Sequence, residues 1–211
     1  MRILLDNDAL LKLVRYDLLD AALDALQATR DDVQVLAQSK YVLLPAKDRL
    51  KRCKDEASAT RLEEFLASAA RIDAERIDAD ALDALTAQPN LDAGEALLLA
   101  TAATDRDTLV VTGDKRALVA LCSDHSLASV QQSLEGRVIT LEILFALLTQ
   151  HEHELVQHQV RSNPDVDRAL GNIFGVSSPA NRDSVREALL SYINSLREVV
   201  GKLLYPLRPN S

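Results

Sequence analysis

Short apolar runs alternate with stretches of helical periodicity along the first 150 residues. Ile3, Leu4 and Leu5 form a run of the kind that fills a buried parallel strand, and Asp6-Asn7-Asp8 breaks it. Apolar positions then recur at helical spacing through Leu10, Leu11, Leu13, Val14, Leu18, Leu19, Ala22, Leu23 and Leu26. Residues 33–36 and 41–44 read as strands, and Pro45 suits the first position of a following helix, where its missing N–H is not needed. Residues 57–70 form an amphipathic helix around Leu62, Phe65 and Leu66, and 81–85 is a further helical stretch. After Pro89-Asn90 an Ala/Leu-rich helix runs from Asp92 to the neighbourhood of Ala103. Residues 108–111 are the clearest strand. Gly113 turns the chain into a helix at 116–121, and Gly136 precedes a strand at 137–139 with a helix starting near Leu141.

Strands alternating with helices predict βαβ units, hence a three-layer α/β/α fold around a central parallel sheet over residues 1–150. The character changes in residues 151–211, which are expected to form an all-helical C-terminal extension. Seven acids there balance seven bases, and no strand candidate appears. Asn163-Pro164 and Ser177-Ser178-Pro179 are breaks, with helices predicted at 165–173 and 179–204. Ser178 is a candidate N-cap, Pro179 suits the first helical position, and Pro206 stops the helix. Val185, Leu189, Tyr192, Leu196, Val199 and Leu203 form an a/d seam along it. That stripe calls for a partner in the first domain, in the helix at 141–158, or in a second copy. A homodimer through these helices is the expectation, with the final turn weakened by Gly201.

Composition narrows the picture. Hydrophobic residues make up 47% and aromatics only 3%, so the core must be built from Leu, Val, Ile and Ala. The net charge of −8 lies in residues 1–150 and argues against a protein that coats nucleic acid by neutralising many phosphates. It is compatible with an acidic site that holds cations. Cys53 and Cys122 have no ligand spacing around them and read as reduced thiols, a disulfide being the alternative. No apolar run reaches the ~20 residues that span a bilayer, and the first residues do not form a signal peptide. A soluble, cytoplasmic protein without membrane association is expected.

Three acids stand where acids are uncommon. Asp6 ends the first strand, Glu95 opens the Ala/Leu helix after Asp92-Ala93-Gly94, and Asp114 follows the strand at 108–111 across Thr112-Gly113. Asp6 and Asp114 fall outside the carboxyl ends of parallel strands, where open α/β sheets place their ligands. Clustered carboxylates repel and are most easily kept together by a divalent cation, and oxygen-only donors suit Mg²⁺ or Mn²⁺. The competing explanation is capping: Asp8 and Asp92 as helix N-caps, Glu95 as a charge favouring the helix dipole.

These segments resemble PIN-domain nucleases. Ile3-Leu4-Leu5-Asp6-Asn7-Asp8-Ala9-Leu10 is similar to the family's opening strand, metal-site Asp and polar pair. Glu95-Ala96-Leu97-Leu98-Leu99-Ala100-Thr101-Ala102 is similar to its acid-led helix, and Val110-Val111-Thr112-Gly113-Asp114-Lys115-Arg116-Ala117-Leu118 to its T-x-D-x-x-L/F segment. The resemblance spans residues 1–142 and implies a PIN-like, metal-dependent ribonuclease, often a toxin of a bacterial toxin–antitoxin pair. On that reading Asp6, Glu95 and Asp114 are catalytic and hold the metal, with Asp92 and Asp48 as further metal candidates. RNA, with DNA as an alternative, is the expected substrate, and a protein antitoxin or other regulator an expected partner. Asn7, Asp8, Thr112, Lys115, Arg116, Arg49 and Lys51 are candidate substrate contacts.

The family commonly carries another acid, as Glu-Leu, after the second strand. The matching place here reads Lys47-Asp48-Arg49-Leu50, so Asp48 either substitutes or is a surface residue within the basic run Arg49, Lys51, Arg52, Lys54. Two other readings stay open. One is a catalytically silent PIN-like interaction module. The other is a haloacid-dehalogenase-like phosphatase built on Asp6-x-Asp8 and Gly113-Asp114, although Leu10 and the lack of a second Asp soon after Asp114 depart from that pattern. His151, His153 and His158 lack zinc spacing and read as a solvated helix end.

Overall fold

The structure, a computed structural model, describes residues 1–207. Five strands, β1 (Arg2–Leu5), β2 (Val33–Val35), β3 (Ala70–Arg71), β4 (Thr108–Thr112) and β5 (Val138–Thr140), form one all-parallel sheet in the order β3-β2-β1-β4-β5. The α/β class expected from the alternation is therefore present. Ile3, Leu4 and Leu5 are buried, and so are Val110, Val111, Val138 and Ile139, because these strands are covered on both faces. Leu5 pairs with Val111, and the Asp6 N–H donates to the Val111 carbonyl at 3.0 Å.

The helices follow in chain order. Between β1 and β2 lie α1 (Asn7–Arg15) and α2 (Leu19–Ala25). Between β2 and β3 lie α3 (Ser39–Leu43), α4 (Leu50–Cys53) and α5 (Glu56–Ser68). Then come α6 (Ala79–Thr86) and α7 (Ala93–Thr104) before β4, and α8 (Lys115–Ser123) and α9 (Ala128–Ser133) before β5. Helices α10 (Leu141–Ser162), α11 (Arg168–Phe174) and α12 (Arg182–Val200) complete the chain. From β1 the chain steps outward to β2 and β3, then returns past β1 to β4 and β5. With right-handed crossovers, α1–α5 cover one face and α6–α9 the other. The strand order thus reverses between β1 and β4.

Three departures from the expected elements have physical causes. Residues 41–44 are not a strand. Residues 41–43 belong to α3 and Leu44 is its C-cap; Leu43 is buried against the core while Tyr41 and Val42 are exposed, so β-propensity loses to packing. Pro45 begins no helix; its carbonyl accepts from the Asp48 N–H in a turn. Strand β3 was not expected. It has two exposed residues, carries no hydrophobic signal, and leaves that sheet edge short.

The helical extension also differs in detail, and its last four residues lie outside those described. The expected helix at 165–173 is α11, shifted to Arg168–Phe174. The long helix starts at Arg182 behind an Asn181 cap that accepts from the Ser184 N–H, not at Pro179 behind Ser178, and ends at Gly201 with φ 59°. Its buried seam is Val185, Leu189, Ile193, Leu196 and Val200, whereas Tyr192 and Val199 are exposed. The true period is therefore 4, 4, 3, 4 rather than the expected alternation of 4 and 3. This stripe belongs to the same hydrophobic cluster as Ile3 and Leu5, and α12 packs on α10 and α8. It is satisfied inside the chain, which removes the motive for a dimer through that seam.

Two further ties hold the extension. Lys12 of α1 pairs with Asp167 at 2.8 Å, and Arg15 pairs with Asp165. The chain end then covers the β5 edge: Gly136 N–H donates to the Lys202 carbonyl, Leu204 bridges Val138 in parallel, and Tyr205 N–H donates to the Val138 carbonyl at 2.8 Å. The boundary expected at residue 150 falls inside α10, next to a kink at Glu152 (φ −132°, ψ 50°). Around that kink His151 and His158 are exposed as expected, whereas His153 is half-buried and lies tilted against Phe174, with ring centroids 6.5 Å apart. Both cysteines are free thiols. No helix among the described residues is long and apolar enough to cross a membrane.

Candidate functional site

Helices in a βαβ chain run antiparallel to the strands, so each helix starts at the carboxyl edge of the sheet. Three such starts surround one cleft of about 910 Å³ outside the β1–β4 pair, where the strand order reverses. Asp6, Asn7 and Asp8 come from the start of α1. Asp92, Gly94 and Glu95 come from the start of α7, and Asp114, Lys115 and Arg116 from the start of α8. Their dipoles place partial positive charge around the cleft, which eases the gathering of acids.

Four of the five acids also serve a helix end. Asp6 is the N-cap of α1 and accepts from the Asn7 N–H at 2.7 Å. Asp92 caps α7 in a reciprocal box: its carboxylate accepts from the Glu95 N–H while Glu95 accepts from the Asp92 N–H, each at 2.8 Å. Asp114 caps α8, accepting from the Arg116 and Ala117 N–H groups, and its own N–H donates to Thr112 Oγ1. Asp8, a cap candidate in the sequence, is not one; it pairs with Lys12 at 2.8 Å. The caps fix where the carboxylates point and leave further oxygen lone pairs facing the cleft.

Burial pushes the Asp6 carboxyl up from its ordinary 3.8 to about 6; the Asn7 N–H opposes this, and the charges of Asp8 and Asp92 add to it. Burial likewise raises Glu95 to about 7, helped by the charges of Asp92 and Asp114 and by a hydrogen bond to the Asp114 carboxylate. Burial also disfavours ionised Asp114, but the Ala117 and Arg116 N–H groups and the Glu95 proton outweigh it and hold Asp114 below the usual range. The two carboxyls thus shift in opposite directions, Glu95 upward and Asp114 downward. Asn7 Oδ1 is buried without a hydrogen-bond partner.

Gly113 makes the crowding at the base of the cleft feasible. A Cβ there would lie 2.3 Å from Asp8 Oδ2. At Gly94 a Cβ would meet Leu36 Cδ1 at 2.9 Å and Asp92 Oδ1 at 3.1 Å.

The structure brings Asp6, Glu95, Asp114, Asp92, Asn7, Asp8, Lys115 and Arg116 together around this cleft. Lys115 is committed elsewhere as well: it pairs with the buried Glu142 and lies 5.2 Å from the Tyr192 ring centroid. Thr112 is buried and serves Asp114. Asp48, Arg49 and Lys51 do not line the cleft. Asp48 is exposed in the turn before α4, and Arg49 is held by Glu56 and Glu63. Asp48 as a metal ligand is thus not supported by its position. The sequence reading missed Lys12, Gln38 and Val42. The Asp8/Lys12 spacing of four was a signal for the first; nothing marked the other two.

Among the described residues no group of three or more His, Cys, Asp or Glu is arranged to hold a metal ion. The donor chemistry nevertheless fits a hard divalent cation. The site offers carboxylate and amide oxygens, neighbouring carboxyls whose mutual repulsion a cation would relieve, and one buried oxygen that lacks a partner. Comparison with protein-family models, with curated proteins and with solved structures returns no match.

Proposed function

We propose that this cleft is the active site of a PIN-like, divalent-metal-dependent nuclease that hydrolyses phosphodiester bonds, in RNA before DNA. The observation that carries the reading is the position of the acids. Asp6 and Asp114 follow neighbouring central strands at the point where the strand order reverses, and Glu95 lines the same cleft. Asp6, Glu95 and Asp114, with Asp92 beside them, are the residues that would hold Mg²⁺ or Mn²⁺. The bound ion would supply charge neutralisation at phosphate and a more acidic water. The chain's own part is to fix the oxygens through the helix caps. Asp6 and Glu95 would hold the ion as carboxylates, and the three helix starts direct N–H dipoles toward an anionic substrate. A toxin of a toxin–antitoxin pair is one setting for such an enzyme.

A second reading, a catalytically silent module of the same architecture, draws on the capping itself. The four acids have structural employment at helix ends, and no metal-holding group of three is preformed. The discriminating experiment follows cleavage of a labelled single-stranded RNA with Mn²⁺, for wild type and Asp114→Asn. Asparagine keeps the cap but lowers the charge, so loss of at least a hundredfold in rate with an unchanged fold is expected. Full activity in the variant or in excess EDTA refutes the mechanism. Release of phosphate from a small phosphomonoester, without RNA cleavage, supports a dehalogenase-like phosphatase. A folded protein that binds no metal and cuts nothing supports the silent module.

A further inference from the structure

Residues 38–54, of which Gln38 and Val42 stand on the rim of the cleft, oppose the rest of the molecule in charge. The segment holds six basic residues and one acid in a chain of net charge −8. Arg49 is spent on Glu56 and Glu63. The other five, Lys40, Lys47, Lys51, Arg52 and Lys54, are exposed and make no ion pair among the described residues. Cations that are neither paired nor buried are available to phosphates.

The same segment carries Tyr41. Its helix starts beside Gln38, which lines the cleft, as does Val42, the residue after Tyr41. Tyr41 is 78% exposed, more than any other large hydrophobic among the described residues, and makes no ring contact there. The other described aromatic rings are much less exposed: Tyr16 and all three Phe are buried, Tyr205 is half-buried, and Tyr192 is 43% exposed with Lys115 against it. The platform beneath is anchored, since Leu43 and Cys53 are buried and α3 and α4 pack on α1 and α5. An exposed lone tyrosine is unremarkable by itself. Here it belongs to a segment of unpaired cations and directly precedes Val42, which lines the acidic cleft.

We propose that residues 38–54 form a binding surface for single-stranded nucleic acid, with Tyr41 stacking one base while Lys40, Lys47, Lys51, Arg52 and Lys54 follow the phosphates toward the cleft. This rests on the nuclease reading for direction and names the strandedness of its substrate. An exposed ring on a segment of unpaired cations suits splayed bases; paired bases in a duplex offer no face to stack on.

The test is fluorescence anisotropy of the full chain with a labelled 12-nucleotide oligoadenylate, and with a duplex of equal length, in EDTA so that binding is read without cutting. Single-strand binding is expected to exceed duplex binding. Tyr41→Ala should weaken it about tenfold, within the range that stacking one base is worth, and Tyr41→Phe should restore it to within about twofold. Lys51→Gln with Arg52→Gln should reduce the slope of log K against log salt by roughly 0.7 per charge removed. Circular dichroism checks that the variants fold. Unchanged binding by Tyr41→Ala, equal duplex binding, or no binding by the wild type overturns the proposal. The two readings fail separately. Binding as described with no RNA cleavage in Mn²⁺ removes the nuclease and keeps the surface. Cleavage whose KM is untouched by Tyr41→Ala removes the surface and keeps the nuclease.

Discussion

Asp6 and Glu95 hold protons at pH values where ordinary carboxylates have lost them, and stability in the absence of metal must register this. Both folded-state pKa values are raised. Their stabilising contribution is therefore complete below the unfolded values of 3.8 and 4.5 and is lost as pH rises through about 6 and about 7. The metal-free protein should melt at a higher temperature near pH 5 than near neutrality. Glu95→Gln and Asp6→Asn keep the capping role, because Gln completes a capping box and Asn is a good N-cap. Each should raise the neutral-pH melting temperature in EDTA and flatten its pH dependence. About 1 kcal/mol corresponds to ~2–4 °C for a chain of this size. A drop in melting temperature at neutral pH for both variants, measured by calorimetry, counts against the raised values. The same protons are what Mn²⁺ has to displace, so the wild type should gain more from Mn²⁺ at neutral pH than at pH 5.

At the scale of elements, the tie between α1 and the start of α11 invites a paired substitution. Asp167 caps α11 through the Ala169 and Leu170 N–H groups and also pairs with Lys12. Burial opposes its ionisation, but Lys12 and the two N–H groups prevail and hold its pKa below the usual range. A depressed carboxyl contributes stability that is present above the unfolded value and lost as pH falls through the folded one. Asp167→Asn keeps the cap and removes the charge, while Asp167→Ala removes both, the cap alone being worth ~0.5–2 kcal/mol. Melting temperatures near neutrality should fall in the order wild type, Asn, Ala. Wild type and Asn should converge in acid; persistence of their gap there would mean that Lys12 is not the partner that matters. Legibility also varied by element. The runs at 3–5, 33–36, 108–111 and 137–139 showed in the sequence because strands covered on both faces are mostly apolar. Tyr41 to Leu44 misled because β-formers occur wherever one side chain needs burying, here Leu43. β3 left no trace, since only its backbone pairs. Asp6, Glu95 and Asp114 were visible as acids at element ends, but their convergence depends on strand order, and spacing does not encode that.

At the scale of the whole molecule, residues beyond 150 complete the core. Phe145 lies edge-on between Tyr16 and Phe174, and Val156, Val160, Leu189 and Ile193 are all buried. A truncation at 150 would expose Phe145 and much of α10, cutting that helix next to its kink. Each large side chain uncovered forfeits about 1.5–3 kcal/mol, several times over, against a typical total of ~5–15 kcal/mol. The expected outcome is a truncated chain that aggregates or fails to show a cooperative melt, while the full chain scatters light as a monomer. A soluble, cooperatively melting 1–150 fragment would show instead that the extension is dispensable. The sheet's second edge points the same way: without Leu204 and Tyr205, β5 would present unpaired backbone groups to other chains.

That closure by Leu204 has a consequence for how the protein comes into being on the ribosome. The first strand made, β1, is the central one, and it has only one neighbour until β4, more than a hundred residues later, is synthesised. Asp6 and Asp114 cannot face one cleft before then, and the covering of β5 waits for Leu204 and Tyr205, far beyond β5 in the chain. At about 5–20 residues per second, the nascent chain spends several seconds with its acids apart and its sheet incomplete. Translation thus imposes a delay on the cleft, and an interrupted chain carries the acids without the closed sheet that assembles them.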